Sequence, residues 1–202
     1  SVLEVLSLYE TPDEILDAIA QLYIRDKGIQ CDLTFGNGHF WKNRQLPPFR
    51  FDLDDSLANV TVASSDALPL HSAFLDNLVF DPPFLTYVRA GREGNGSMVM
   101  ARRFTGYWKY SELQDHYVAT LREASRVLKR GGVMVFKCQD IIHNHSMHCT
   151  HLNVVNWAQE FGFKLADLFV LVAKHRMPSP NRAGTQKHAR IFHSYFLVLR
   201  KC

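Results

Sequence analysis

The sequence predicts an α/β chain built on a doubly wound, mostly parallel sheet that finishes with an antiparallel C-terminal edge strand. Three observations predict it. Short apolar or β-branched runs alternate with segments apolar at helical spacing along most of the 202 residues, the pattern of strand–helix–strand units. Two strand-like runs, 163–173 and 194–200, then follow one another with no helical pattern between them, so the last runs antiparallel. The third observation is the run Leu78-Val79-Phe80, which stops at Asp81-Pro82-Pro83-Phe84. Proline has no N–H to give a sheet and pushes the preceding residue away from helix, so the strand ends at Asp81. In open α/β sheets that carboxyl edge is where ligands bind.

Composition sets the class. A hydrophobic content of 47% against 21% charged residues describes a globular chain, and 202 residues suffice for one domain, 1–202, with a full core. The net charge of +3 is mild, so affinity for a polyanion must come from local patches. No apolar run approaches the roughly 18 residues of a membrane-spanning helix. Residues 1–10 show no basic segment or cleavage-type site, so no signal peptide is expected. Cys31, Cys138, Cys149 and Cys202 form no CxxC pair and read as reduced thiols of a soluble intracellular protein, cytoplasmic or nuclear.

Taken in order, Thr11-Pro12-Asp13-Glu14 opens a helix. Thr11 is the N-cap, Pro12 suits the first helical position and Glu14 completes a capping box; Ile15, Ile19, Leu22 and Tyr23 recur at helical spacing and Gly28 closes the helix. Residues 29–35 read as the first strand, running into Gly36-Asn37-Gly38, where two glycines let the backbone approach a ligand. Residues 48–52 form a second strand ending in Asp52, about 20 residues on, where a carboxylate can accept ribose hydroxyls; Asp54 is a nearby competitor. The β-branched run 59–63 leads to Asp66. Residues 111–129 are the clearest helix, with Ser111 and Gln114 as a capping box, a buried stripe through Leu113, Tyr117, Leu121, Ala124 and Leu128, and a stop at Gly131-Gly132. Residues 133–136 give a strand and 152–161 another helix.

At the end of the 78–80 strand one carboxylate, two rigid carbonyls and one aromatic ring converge. They suit a flat ring bearing an exocyclic amine: Asp81 and the Pro82 carbonyl can accept the amino hydrogens while Phe84 stacks. Asp81-Pro82-Pro83-Phe84 resembles the catalytic tetrapeptide of the S-adenosylmethionine-dependent amino methyltransferases that act on adenine N6 or cytosine N4. Asp32-Leu33-Thr34-Phe35-Gly36-Asn37-Gly38 is similar to that family's cofactor loop, and the resemblance runs from Thr11 to the last strand. It implies a Rossmann-like methyltransferase sheet and S-adenosyl-L-methionine as cofactor. It also implies site roles: Thr11 and Pro12 near the methionine end, Thr34, Phe35 and the Gly36–Gly38 backbone along methionine and ribose, and Asp32 supporting the loop. Asp52 falls to the ribose, Asp66 to the adenine amine, and Asp81 borders both cofactor and substrate. Three strands ending in acids where the family places them form the strongest part of the likeness. An aspartate leading the tetrapeptide favours adenine over cytosine.

Two basic loops fit a nucleic-acid partner, with DNA favoured over RNA. In 86–110, Arg89, Arg92, Arg102, Arg103 and Lys109 are interleaved with aromatics including Trp108, so cations can meet phosphates and rings can stack on bases. In 174–190, Arg176, Arg182, Lys187 and Arg190 stand in a stretch without acids. The chain has no separate target-recognition region in view, so a protein partner is one source of sequence specificity. His143, His145, His148, Cys149 and His151 match no common zinc spacing and read as a loop beyond the fifth strand, with a set such as His143, His145, His148 and Cys149 the open alternative. Other readings also stay open: an RNA adenine-N6 or DNA cytosine-N4 enzyme, a methyltransferase for protein glutamine or a small aromatic amine, and a non-catalytic nucleic-acid-binding subunit of the same fold.

Overall fold

The structure, a computed structural model, describes residues 4–84, 107, 109–174 and 186–202. In chain order the elements are β1 (Leu8–Tyr9), α1 (Pro12–Ile19), β2 (Cys31–Asp32), β3 (Phe49–Asp52), β4 (Thr61–Val62), β5 (Leu75–Phe80), α2 (Tyr110–Val127), β6 (Leu128–Cys138), β7 (Ile141–His143), β8 (Ser146–His148), α3 (Thr150–Gln159), β9 (Phe163–Val172) and β10 (His193–Lys201). Eight strands form one sheet in the order β1-β9-β10-β6-β5-β2-β3-β4, and β7 and β8 form a separate hairpin. Strand β10 runs antiparallel to β6 and β9, toward the β1 end of the sheet; the remaining recorded pairs in the sheet are parallel. This is the mostly parallel, doubly wound α/β architecture that the alternation of patterns predicts.

Period-two patterning decides which residues meet which helix. On one face Leu78 and Phe80 of β5, Met134 and Phe136 of β6, and Leu197 and Leu199 of β10 pack with Leu113, Tyr117 and Leu121 of α2 and Val154 and Ala158 of α3. On the other face Val79, Val133, Val135, Phe196 and Val198 pack with Ile15, Leu16, Ala18 and Ile19 of α1 and with Phe40 and Trp41. Both faces are covered, so the central strands read as continuous apolar runs.

Several boundaries differ from the sequence reading. Thr11 caps α1 as expected: its hydroxyl accepts from the Glu14 N–H, and Glu14 accepts from the Thr11 N–H. The helix does not run unbroken to Gly28. It widens into a π-helical turn, Ala20–Ile24, and breaks there, because Arg25, at the start of the short segment Arg25–Lys27, takes φ 55°, which does not continue a right-handed helix. Strand β2 has two paired residues rather than seven, although Leu33 N–H still reaches Val79 O at 3.0 Å and Phe35 N–H reaches Phe51 O at 3.0 Å. Strand β4 stops at Val62, so Asp66 stands in the following turn and not at a strand end. The capping box of α2 lies earlier than Ser111 and Gln114. The Glu112 carboxylate accepts from the Lys109 N–H at 3.1 Å, and a carboxylate is a stronger acceptor there than an amide.

The histidine-rich stretch forms the β7–β8 hairpin and the start of α3, not an open loop. His148 stacks on Tyr110 at 4.0 Å, and His151 stacks on Tyr195 at 4.1 Å while its Nδ1 lies 2.7 Å from Asp140. Among the described residues no group of three or more His, Cys, Asp or Glu side chains is arranged to hold a metal ion. No described helix is long and apolar enough to cross a membrane.

Candidate active site

The corner after β5 is tied to β2 by its backbone. The Asp81 N–H donates to Thr34 Oγ1 at 2.7 Å. The Thr34 hydroxyl and N–H turn in their own bonds to Asp32 Oδ1, at 3.4 and 2.8 Å. The second Asp32 oxygen accepts from the Trp41 indole N–H at 2.7 Å. Asp32 is only 2% exposed. Burial pushes its carboxyl up to about 7, against the pull of the bonds from Thr34 and Trp41, and the Asp81 charge adds to the rise.

Gly36 and Gly38 sit at φ 53° and 70°, in the left-handed region that a side chain disfavours. A Cβ on Gly38 would stand 3.1 Å from Phe35 Cζ, so the Phe35 ring lies directly against the turn. From β3, Asp52 Oδ2 accepts the Gly36 N–H at 2.8 Å and Oδ1 accepts the Asp54 N–H at 3.0 Å. Asp54 is spent on its own turn, accepting from the Ser56 N–H and hydroxyl at 2.9 and 2.6 Å. Of the two, Asp52 is the one bonded to the glycine turn, while Asp54 is bonded to Ser56.

The Asp66 turn is held on α2 by a run of hydroxyls around one imidazole. Asp66 itself is exposed and bonded to the Ser64 hydroxyl. Ser65 Oγ lies 2.8 Å from His116 Nε2 and 2.7 Å from Thr120 Oγ1, and His116 Nδ1 lies 2.5 Å from the Tyr107 hydroxyl. Burial lowers the His116 pKa, favouring the neutral ring that can accept at one nitrogen and donate at the other. Thr11 and Pro12 join through α1: Arg44, just past the glycine turn, donates to the Asp13 carbonyl at 3.3 Å and pairs with Asp17.

At the tetrapeptide, Pro82 is buried while Asp81, Pro83 and Phe84 are partly exposed. The Pro83 carbonyl accepts from the buried Tyr117 hydroxyl at 2.7 Å. Pro83 thereby anchors the corner to α2. Lys137, on β6, lies 3.3 Å from both Asp81 carboxylate oxygens. Burial raises the Asp81 pKa and Lys137 opposes the rise. Sequence reasoning missed Lys137, Tyr117, Trp41 and His116. Only Lys137 carries a sequence signal, a lysine directly after the apolar run 133–136.

Of the basic residues, Lys109, Lys187 and Arg190 are exposed. Arg89, Arg92, Arg102, Arg103, Trp108, Arg176 and Arg182 lie outside the described residues.

The chain matches no protein-family model and no curated protein sequence. Its likeness is to solved structures. An S-adenosylmethionine-dependent methyltransferase from Methanosarcina mazei superposes with a TM-score of 0.53 at 11% identity, over 91% of this chain and 96% of that one. The cyclase SpnF gives 0.56 at 14% identity, over 94% and 81%. A candidate DNA modification methylase of Thermus thermophilus, complexed with S-adenosyl-L-methionine, gives 0.44 at 20% identity, over 66% of this chain and 50% of that one. The chain spans about half the length of the Thermus thermophilus structures it matches. The fold is therefore the Rossmann-like methyltransferase fold, and a neighbour known as a cyclase shows why the reaction must be argued from the site.

These contacts can be tested in solution. Folding raises the Asp32 carboxyl above its ordinary range, so Asp32 favours the folded state least once it is ionised. Wild-type Tm should fall relative to Asp32→Asn as pH rises from about 4 to 7 and level off above; a difference that stays constant from about 4 to 7 would refute the assignment. Tyr117→Phe should cost about 1 kcal/mol in denaturant unfolding through loss of the bond to Pro83, whereas an unchanged midpoint would show that bond to be idle.

Proposed function

We propose that the protein is an S-adenosyl-L-methionine-dependent methyltransferase acting on the exocyclic amine of a nucleic-acid base, adenine N6 in DNA foremost. One observation carries the reading. Asp81, at the carboxyl end of β5, is fastened by its own N–H to Thr34, two residues before a glycine turn that Asp52 holds open. Acceptor and cofactor cradle are thus parts of one bonded unit.

The residues present fit the cofactor. Gly36 and Gly38 leave backbone uncovered where a Cβ would strain the turn or press on Phe35. Asp52 stands at the end of β3 as a ribose acceptor, exposed Asp66 is available to the adenine amine, and Phe35 borders the turn. Thr11 and Pro12 belong to the helix start that Arg44 ties to this segment. Bound there, S-adenosylmethionine supplies a methyl group on a sulfonium.

The chain's own groups act on the amine. Its lone pair is delocalised into the ring, which makes it a poor nucleophile. Accepting its hydrogens at the Asp81 carboxylate and the Pro82 carbonyl concentrates density on nitrogen and aims the lone pair, so positioning and electrostatics lower the barrier. Pro83 is held by Tyr117 and keeps the corner rigid. Phe84 stacks on the base, offsetting part of the few kcal/mol needed to extrude it from a duplex. Held at the Asp81 carboxylate, the amine nitrogen would take the methyl group with its lone pair, and the proton it then sheds would pass by way of that partly exposed carboxylate to solvent. Exposed Lys109, Lys187 and Arg190, with the arginines and Trp108 of the same two loops, supply phosphate and stacking contacts, and a protein partner is one source of target choice.

Asp81→Ala should lower methyl transfer to an adenine-containing duplex at least about 100-fold. Calorimetric affinity for S-adenosylmethionine should stay within about threefold of wild type, since the cradle contacts lie on Gly36 and Asp52. Undiminished turnover in the variant would remove Asp81 from the mechanism, and absence of cofactor binding by the wild type would remove the reading itself.

A further inference from the structure

Strand β6 presents Val133, Val135 and Lys137 in succession to the face covered by α1. The two valines are in the core with Phe196 and Val198 of β10, and Lys137 stands directly opposite Phe196 in the ladder. A lysine therefore occupies a position where the pattern calls for an aliphatic side chain. Its side chain is 13% exposed. The ammonium is surrounded by three phenyl rings, with Nζ at 5.2 Å from the Phe40 centroid, 5.7 Å from Phe196 and 5.9 Å from Phe84. Among the described residues, its hydrogen-bond acceptor is Asp81, at 3.3 Å from each oxygen.

Burying a cation in such a row is unfavourable unless a counter-charge and ring faces compensate, and a pair replaceable by apolar side chains is weak evidence of a stability role. The place of this pair points elsewhere. Phe40 follows the glycine turn, Asp81 begins the tetrapeptide and Phe84 ends it, so one ammonium touches cofactor loop, acceptor carboxylate and stacking ring together. Buried Asp32 is linked to Asp81 through Thr34. With Lys137 removed, Asp81 would face burial with no cation to balance it. A protonated Asp81 would lose acceptor capacity at one oxygen and point a hydroxyl at the incoming amine.

We propose that Lys137 is a positioning residue for Asp81: its ring-caged ammonium holds the carboxylate anionic and turned toward the amine. This rests on the reading of Asp81 as the amine acceptor. Because the acceptor works only as the anion, the cation sets the lower pH limit of turnover as well as the geometry.

The test compares the full-length wild type with Lys137→Met, which keeps the apolar stem, and Lys137→Arg, which keeps the charge. The Asp81 carboxyl is titrated by carbon-13 NMR, assigned with Asp81→Asn, and methyl transfer to an adenine-containing duplex is followed against pH. Loss of the cation should move the Asp81 midpoint up by about one unit or more. The acid limb of kcat should move with it, kcat at neutral pH should drop at least about tenfold, and KM for S-adenosylmethionine should hold within about threefold. Lys137→Arg should restore the midpoint. If Lys137→Met fails to fold, Lys137→Gln takes its place in the same titration. An Asp81 midpoint unmoved by loss of the charge would overturn the proposal. A wild type without methyl transfer would count against the proposed function, while the NMR titration would still decide the role of Lys137.

Discussion

A strand that ends in Asp-Pro-Pro leaves one N–H at its tip, and here that N–H is given to the Thr34 hydroxyl. The rest of the candidate site depends on this bond. It joins the corner after β5 to the loop after β2, so that acceptor and glycine turn move as one piece. Thr34 can serve only because Asp32 takes both its N–H and its hydroxyl proton, and Asp32 is in turn aimed by the Trp41 indole. A site held by backbone and buried side chains in this way is ordered before any ligand arrives, which is what catalysis by positioning requires.

Two aspartates stand a few bonds apart in this unit with opposite electrostatic fates. Asp32 is enclosed with neutral donors only, and its carboxyl rises to about 7. Asp81 is also pushed upward by burial, but Lys137 pulls it back. Their surroundings differ in one respect: Asp32 has only neutral donors beside it, whereas Asp81 has the Lys137 ammonium. The histidine at the Asp66 turn follows the same logic: buried among hydroxyls, His116 works as a neutral connector between Ser65 and Tyr107.

Much of this was legible in the residues themselves. The alternation of patterns carried the sheet, because both faces of the central strands are covered and the runs 78–80, 133–136 and 196–199 are correspondingly apolar. Asp52, Gly36, Gly38 and Asp81 could be read because each stands at a strand end or a turn whose local chemistry is distinctive. Boundaries were less legible. The break at Arg25 depends on a left-handed backbone at a residue that gives no warning of it, and the end of β4 at Val62 depends on where β3 stops offering partners. The second layer was hidden for a different reason. Tyr117 and Trp41 read as ordinary core aromatics until the fold brings their polar atoms to Pro83 and Asp32, and such contacts across 34 and 9 residues have no local pattern. Lys137 is the intermediate case, visible as a lysine next to the apolar run 133–136 but meaningless without Asp81 after β5 and Phe196 on β10.

The fold alone does not choose a reaction, as a cyclase among the structural neighbours illustrates. What chooses it in this account is a carboxylate and a proline carbonyl poised on an NH2 group beside the glycine turn. The most direct measurement is mass spectrometry of nucleosides released from DNA and RNA after incubation with the protein and methyl-labelled S-adenosylmethionine. The account predicts label in N6-methyldeoxyadenosine. Labelled DNA and RNA nucleosides absent altogether, or a label carried on a ring carbon instead of an exocyclic nitrogen, would contradict it.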